Sequence, residues 1–187
     1  MKTAGVILAG GLARRMNHQD KGLILYQHRP LISYAINAIM PVVDELVINA
    51  NRNLEQYQAL GFSVISDLTT SFDGPLAGIL AAMSETTADV FLIMPCDAPY
   101  MTSLSLKKLL HALLESDAEI AVACVGEQWH SVFLAMRSNL KCSLAQYLAS
   151  EQRKIQTWLT QHHTLTVDFS ECPEQFANFN SFAELNA

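Results

Sequence analysis

A glycine pair followed by several basic residues, in the stretch GGLARRMNHQDKGL, is the first feature of this sequence that could do chemistry. Gly10 and Gly11 come directly after an apolar run, and Arg14, Arg15 and Lys21 follow closely. Glycine lets peptide N–H groups approach a ligand without an intervening Cβ, and successive N–H groups form a concavity that binds anions. Arginine and lysine add charge-assisted hydrogen bonds to phosphate. The stretch is either a phosphate-binding loop or a tight turn with solvated basic residues.

Other common catalytic motifs do not fit the chain. GGLARR is not the G-x-G-x-x-G of dinucleotide-binding folds, and no G-x-x-x-x-G-K-[ST] occurs. No G-x-S-x-G motif occurs, which argues against a serine hydrolase. The 6 histidines lack metal-ligand spacing, and the 4 scattered cysteines form no C-x-x-C pair. A zinc knuckle and a disulfide framework therefore lose support.

A second constellation is LIMPCDAPYM, in which Asp97 lies between Pro95 and Pro99 just after an apolar run. Prolines on both sides stiffen the backbone and so fix the direction of the aspartate side chain. Mg²⁺ binds in proteins to one or two carboxylates together with substrate phosphates. Asp97 is therefore a candidate magnesium ligand. The alternative is a turn or capping residue, although Thr102 and Ser103 are better candidate caps.

Three further stretches carry polar residues or glycines near the ends of predicted strands. NANRN, residues 49–53, offers amides and one arginine that suit a base or a sugar. Asp67 ends VISD and could orient Lys21, contact a nucleotide or simply end the strand. DGPLAG opens a helix whose N–H groups suit an anion or a polar base edge, with Gly78 as a candidate nucleotide-binding residue. Each stretch alone is more often a turn or a cap, but their shared position favours one site.

The apolar pattern alternates between strands and helices along the chain. Unbroken apolar runs are typical of strands buried on both faces, and amphipathic stretches predict helices. The predicted strands are 3–10, 45–51, 62–67, 89–97, 118–124, 131–136 and 165–167, and the predicted helices are 30–40, 53–60, 76–85, 103–116, 138–149, 153–161 and a short one from 181. This order predicts an α/β fold with a parallel or mixed sheet, whose ligands lie beyond the carboxyl ends of the strands.

The composition of the chain limits the functions that fit it. A length of 187 residues, with 50% hydrophobic and 16% charged residues, suits one folded domain over residues 1–187. A net charge of −6 disfavours non-specific binding of nucleic acid, which rests on a broad basic surface. No apolar run is long enough for a membrane span, and the first residues lack the flanks of a secretory signal. We therefore expect a cytoplasmic location, with no nucleic-acid or membrane partner.

In their order and spacing, these motifs resemble those of one enzyme family. LAGGLARRM, DKGL, NANRN, VISD, GPLAG and PCDAPY are similar to the motifs of molybdenum cofactor guanylyltransferases, and NFNSFAEL resembles the terminal motif of that family. The resemblance spans residues 5–185. It implies a Rossmann-like three-layer α/β/α nucleotidyltransferase fold with a mostly parallel central sheet. It also implies transfer of GMP from GTP to the terminal phosphate of molybdopterin, with release of pyrophosphate.

The resemblance implies roles for individual residues. Lys21 and Arg15 would neutralise the phosphates and Asp97 would bind Mg²⁺, which makes these three the candidate catalytic residues. Candidate nucleotide-binding positions are Leu8, Ala9, Gly10, Gly11, Lys21, Asn49, Asp67 and Asp97. Asn180 is a further candidate near the metal or the pterin phosphate.

The chain departs from the family pattern in two places. Asn17 and His18 follow Met16, where the family commonly has glycine. Asparagine also adopts the left-handed conformation, so we expect the loop to be kept. His130 is followed by Ser131 where the family has a His-Pro pair, and no site role is assigned to His130.

The residues alone do not exclude two other classes of function. One is a related nucleotidyltransferase that uses CTP or a sugar phosphate, and the other is a non-catalytic nucleotide-binding or pterin-binding module. The partners implied by the resemblance are GTP and molybdopterin as small-molecule substrates. Transient contact with other cofactor-biosynthesis proteins or with acceptor molybdoenzymes is a further expectation.

Overall fold

The computed structural model of the chain describes residues 1–11, 20–68 and 74–179. Several sequence predictions fall outside these ranges and have no structural counterpart below: Arg15 and Asn180 as site residues, the Asn17–His18 pair, and the helix from Ser181.

Strands and helices alternate over most of the described chain, as the apolar pattern predicts. The strands are β1 (Thr3–Leu8), β2 (Leu25–Tyr26), β3 (Arg29–Pro30), β4 (Glu45–Asn49), β5 (Ser63–Ile65), β6 (Val90–Pro95), β7 (Ile120–Val125), β8 (Gln128–Arg137) and β9 (Thr164–Asp168). The helices are α1 (Leu31–Ile39), α2 (Leu54–Gln58), α3 (Pro75–Glu85), α4 (Ser103–Leu114), α5 (Lys141–Ala149) and α6 (Ile155–Leu159).

Seven of the described strands form one sheet in the order β5-β4-β1-β6-β8-β7-β9. Strand β8 pairs antiparallel with both β6 and β7, while the other neighbouring strands pair in parallel. Strand β8 thus runs opposite to its six companions. The mostly parallel α/β sheet predicted from the sequence is confirmed.

Two apolar cores cover the two faces of this sheet. One core buries side chains of α1, α2 and α4, and the other buries side chains of α3, α5 and α6. The adjacent β1 residues Val6 and Ile7 belong to different cores, as the two-residue period of a strand requires. Both faces of β1 and β6 are covered, which explains their unbroken apolar sequences. No helix in the described part of the chain is long and apolar enough to cross a membrane.

The structure differs from the sequence prediction in the hairpin formed by β2 and β3. Its turn places Gln27 and His28 at φ 48° and 65°, a left-handed region that residues other than glycine adopt uncommonly. Periodicity and turn composition give little signal for such a turn. Strand β8 also begins at Gln128 rather than at Ser131, because it pairs back onto β7 across a short turn.

The carboxyl ends of β1, β4, β5 and β6 meet at one edge of the sheet. Leu8 lies opposite Asn49 on one side and Pro95 on the other. The N–H of Ala9 donates to the carbonyl of Asn49 at 2.8 Å, and the N–H of Cys96 donates to the carbonyl of Leu8 at 3.1 Å. The loops that follow these strands therefore begin side by side, and each contains predicted site residues.

His130 lies in an aromatic group with Phe133 and Phe176, at ring-centroid distances of 6.4 and 4.6 Å. Partial burial lowers the pKa of His130 from its ordinary value, because the charged ring loses hydration. The unfolded chain then binds a proton more readily than the folded chain. Stability should therefore fall as the pH drops from above the unfolded pKa towards the lower, folded pKa.

The His130→Phe variant keeps an aromatic ring but cannot bind the proton. We expect it to lose less stability than the wild type as the pH falls from about 7.5 to 5.5. Urea unfolding of both proteins at several pH values measures this difference. Parallel pH profiles would show that His130 does not contribute to acid destabilisation.

Candidate active site

A cavity of about 430 Å³ opens at the carboxyl edge of the sheet. Its volume suits a small-molecule ligand. Most of the predicted site positions line it: Leu8, Ala9, Gly10, Gly11, Lys21, Asn49, Asp67 and Asp97. Gly74 and Pro75 line it from the start of α3. Val132 and Asn178 also line it, and neither is among the site residues predicted from the sequence. The structure thus brings together motifs that are far apart in the chain.

Lys21 and Asp97 form an ion pair in this cavity, with 3.1 Å between Nζ and Oδ2. Asp97 is 6% exposed, and the Lys21 side chain is 24% exposed. Ionised groups are seldom buried unless they are paired and hydrogen-bonded. A buried carboxylate and a partly buried ammonium group therefore face the same small volume.

The loop that carries Asp97 is held from two sides. The carbonyl of Asp97 accepts a hydrogen bond from the N–H of Phe179 at 3.1 Å. The N–H of the preceding residue, Cys96, is hydrogen-bonded to the carbonyl of Leu8 in β1. Thr102 caps α4, since its Oγ1 accepts from the N–H of Ser105 at 3.2 Å. The expectation that Thr102 is the better cap is confirmed, and the Asp97 carboxylate lies at the cavity instead.

Cys96 is buried beside Asp97. Burial, together with the negative charge of Asp97, raises the pKa of the Cys96 thiol well above its ordinary value. The thiolate is the nucleophilic form of cysteine, so a raised pKa disfavours nucleophilic chemistry at Cys96.

Two asparagines fix the carboxylate of Asp67. Asn49 Nδ2 donates to Oδ1 at 2.9 Å, and Asn51 Nδ2 donates to Oδ2 at 2.8 Å. Asn51 also accepts from the N–H of Asp67 at 2.9 Å. Asn49 and Asp67 are separate candidate nucleotide contacts in the sequence, and in the structure their side chains belong to one hydrogen-bond network. The individual importance of Asn51 was missed, although the amide-rich NANRN motif was its signal.

The glycine loop after β1 lies directly against this network. A Cβ on Gly10 would approach Asn51 Nδ2 to 2.8 Å, which is closer than carbon atoms normally come. Arg52 Nη2 donates to the carbonyl of Gly11 at 3.0 Å. The absence of a side chain at Gly10 therefore lets the loop and the NANRN segment meet at the cavity wall.

Gly78 lies behind the cavity wall, within α3, rather than among the described lining residues. A Cβ there would overlap Oδ1 of Asn49 and lie 3.0 Å from a methyl group of Leu8. Gly78 thus makes room for the asparagine that holds Asp67. The direct role of Gly78 in nucleotide binding stays a prediction, and what the structure shows is its packing against Asn49.

We expect Gly78→Ala to displace Asn49 and so to disturb the Asp67 carboxylate. Overfilling a packed interior in this way costs about 1–3 kcal/mol of stability. Urea unfolding measures the loss of stability, and calorimetric titration with GTP, the ligand that the family resemblance implies, measures the expected loss of affinity. Unchanged stability together with unchanged affinity would contradict the packing argument.

The donor set at Asp97 fits a magnesium ion that is shared with a phosphate substrate. No group of three or more His, Cys, Asp or Glu side chains that could hold a metal occurs among residues 1–11, 20–68 and 74–179. One carboxylate suffices when substrate phosphates and water supply the other ligands. The two oxygens of Asp97 can accept from Lys21 and still offer a metal ligand.

The fold and the cavity define a class of protein, the α/β nucleotidyltransferases. The family described as MobA-like NTP transferase domain matches residues 5–165 of the chain. The molybdenum cofactor guanylyltransferase of Shewanella halifaxensis is 44% identical over 176 residues, which cover 94% of this chain and 88% of the relative. That of Pasteurella multocida is 40% identical and covers 97% and 96% of the two chains. The chain belongs to the molybdenum cofactor guanylyltransferase family and is a nucleotidyltransferase.

Solved structures with much lower identity share the fold. Molybdopterin-guanine dinucleotide biosynthesis protein A from Archaeoglobus fulgidus is 18% identical, with a TM-score of 0.81 over 98% of this chain and 95% of that chain. A CMP:2-keto-3-deoxy-manno-octonic acid synthetase solved with CTP is 16% identical, with a TM-score of 0.76 over 100% and 96% of the two chains. The three-layer fold predicted from the sequence is thus that of the nucleotidyltransferases.

Proposed function

We propose that this chain transfers GMP from GTP to the terminal phosphate of molybdopterin, which yields the guanine dinucleotide form of the cofactor and pyrophosphate. The observation that carries the proposal is the Lys21–Asp97 ion pair inside the cavity at the carboxyl edge of the sheet. The full-length similarity to molybdenum cofactor guanylyltransferases supports the choice of substrates. A cytoplasmic location and transient contact with acceptor molybdoenzymes remain predictions of the same proposal.

The reaction is a displacement at the α-phosphorus of GTP. An oxygen of the molybdopterin phosphate forms a bond to that phosphorus, and the bond from the α-phosphorus to the bridging oxygen of the β-phosphate breaks. Pyrophosphate leaves with the bonding electron pair. The nucleophile is already an ionised phosphate, so no general base is required. The chain therefore acts by orienting the reactants and by neutralising their charge.

The residues of the cavity divide these tasks. The Lys21 ammonium group donates to phosphate oxygens, and the backbone at Gly10 and Gly11 approaches the triphosphate closely. Arg15 would add a second positive charge to the same phosphates. The Asp67 carboxylate accepts from donor groups of the nucleotide and is already oriented by its asparagines.

Asp97 would hold Mg²⁺ beside the phosphates. When bound, the ion supplies positive charge that offsets the charge of the phosphate groups. The contribution of the chain is the buried position of the carboxylate, which is fixed by the bonds of its loop.

The test of this proposal is a comparison of nucleotides with the purified chain, magnesium chloride and molybdopterin. We expect pyrophosphate release and dinucleotide formation with GTP, and little of either with CTP. Preference for CTP or for a sugar phosphate would favour the related transferase instead. Binding of GTP without pyrophosphate release, at any molybdopterin concentration, would favour a non-catalytic binding module.

A further inference from the structure

The residues on both sides of Lys21 lie against one buried hydroxyl group, that of Tyr57. The hydroxyl donates to Oδ1 of Asp20 at 2.6 Å. On the other side, a Cβ added to Gly22 would lie only 2.5 Å from the hydroxyl oxygen of Tyr57. Asp20 and Gly22 are the immediate neighbours of Lys21. The Tyr57 hydroxyl is therefore hydrogen-bonded to the residue before the cavity lysine and leaves no room for a side chain on the residue after it.

Tyr57 is well suited to act as a fixed point. Its side chain is 0% exposed and belongs to the core between α2 and the sheet. Burial and the nearby Asp20 carboxylate raise the pKa of Tyr57, so its hydroxyl stays protonated and remains a donor. Asn53, which precedes α2 in the left-handed conformation, adds a longer contact from Nδ2 to Asp20 Oδ2 at 3.4 Å.

Burial of the Asp20 carboxylate is costly unless its oxygens are hydrogen-bonded. A phenylalanine at position 57 with an uncharged residue at position 20 would fill similar space without that cost. Buried polar pairs of this kind can serve to select one conformation rather than to add stability. What this pair selects is the path of residues 20–22, and that path sets where the Lys21 side chain begins.

The position of that backbone matters because a lysine side chain is long and flexible. Its Nζ reaches both Asp97 and the phosphate site only if the Cα lies at the right distance from the cavity. A small displacement of a charge-stabilising group strongly reduces the rate of a reaction that depends on orientation. The hydroxyl of Tyr57 is therefore in a position to control the rate without touching substrate.

We propose that Tyr57 is a positioning residue for guanylyl transfer, whose hydroxyl holds Asp20 and abuts Gly22 so that Lys21 Nζ is kept at Asp97 and the phosphate site. This inference rests on the proposed function. It adds a residue on α2, outside the cavity, to the machinery of the reaction.

The Tyr57→Phe variant removes only the hydroxyl and keeps the ring. We expect kcat to fall about 10-fold to 100-fold because the lysine is misplaced, while KM for GTP changes less than about threefold. Tyr147→Phe is the matched control. Tyr147 is a buried tyrosine on the opposite face of the sheet, and its hydroxyl donates to the carbonyl of Lys154 at 2.9 Å. The Tyr147→Phe variant should lose about as much thermal stability as Tyr57→Phe and should keep the kcat of the wild type.

A second pair of variants tests the contact with Gly22. Gly22→Ala should lose activity in the wild-type background, because the new methyl group meets the Tyr57 hydroxyl. In the Tyr57→Phe background the nearest ring carbons are at 3.3 Å, so the methyl group fits with little displacement. The combined loss should therefore be about 10-fold smaller than the product of the two single losses. If the two single losses of activity multiply in the double variant, the proposed contact between the Tyr57 hydroxyl and Gly22 is wrong.

Labelling of Lys21 with acetic anhydride, read by mass spectrometry, separates failure of this inference from failure of the proposed function. If the wild type forms dinucleotide and Tyr57→Phe has an unchanged kcat, the positioning role is wrong. If the wild type forms no dinucleotide, the proposed function is wrong, and the labelling rates alone test whether Tyr57 positions Lys21. Faster labelling of Lys21 in Tyr57→Phe, with no change in Tyr147→Phe, supports positioning, and equal rates in all three proteins overturn it.

Discussion

Asp97→Ala is expected to reduce guanylyl transfer to background while the chain stays folded. The substitution removes the buried carboxylate that faces the cavity and that would hold Mg²⁺ against the phosphates. The loop keeps its backbone bonds to β1 and to Phe179, and Thr102 still caps α4. The partner of Asp97, Lys21, is partly exposed and can turn towards water, so little stability should be lost.

Dinucleotide formation and thermal unfolding should be measured on the same samples of this variant. Asp97→Asn is the closest variant in shape, and it should also be inactive because the amide is a poor magnesium ligand. Glu171→Ala is a matched control, since Glu171 forms an exposed ion pair with Lys108 at 3.0 Å. Near-normal turnover in a folded Asp97→Ala protein would rule out the assignment of the metal to this residue.

Lys21→Ala is expected to lower kcat/KM for guanylyl transfer about 10²-fold or more, by analogy with the loss of one preorganised donor at a developing charge. The ammonium group lies in the cavity beside Asp97, where it would meet the phosphates. Lys21→Arg keeps the positive charge but replaces a compact ammonium group with a planar fork. It should therefore recover only part of the activity.

Steady-state kinetics with GTP and molybdopterin measure the effect of removing Lys21. Lys108→Ala removes the lysine of the exposed pair with Glu171 and should leave the kinetics unchanged. A loss confined to KM for GTP would mean that Lys21 only binds the nucleotide. A loss of less than about threefold in kcat/KM would contradict a role in stabilising charge.

The parts of the fold that the sequence predicts well are those in which residue type alone decides the structure. The apolar runs of β1 and β6 are long and unbroken because both faces of each strand are buried. Asp97 and the glycine pair follow these runs directly, so the parallel topology brings them to one edge of the sheet. The candidate site could be assembled from the sequence for this reason.

The remaining features depend on contacts that local sequence does not report. Tyr57 and Asp20 are 37 positions apart, and nothing near either residue indicates that the hydroxyl and the carboxylate meet. The bond from Phe179 to Asp97 likewise joins distant segments. The DGPLAG motif predicts that Gly78 belongs to a ligand-binding loop. Only the three-dimensional packing shows that Gly78 makes room for Asn49.

The most direct measurement of the central claim follows the α-phosphate of GTP. The purified chain should be incubated with magnesium chloride, molybdopterin and GTP labelled with radioactive phosphorus at either the α or the γ position. We predict that the α label appears in the pterin dinucleotide and the γ label in pyrophosphate, with Asp97→Ala forming neither product. Transfer of the γ label to the pterin, or retention of both labels in GTP, would contradict guanylyl transfer by this chain.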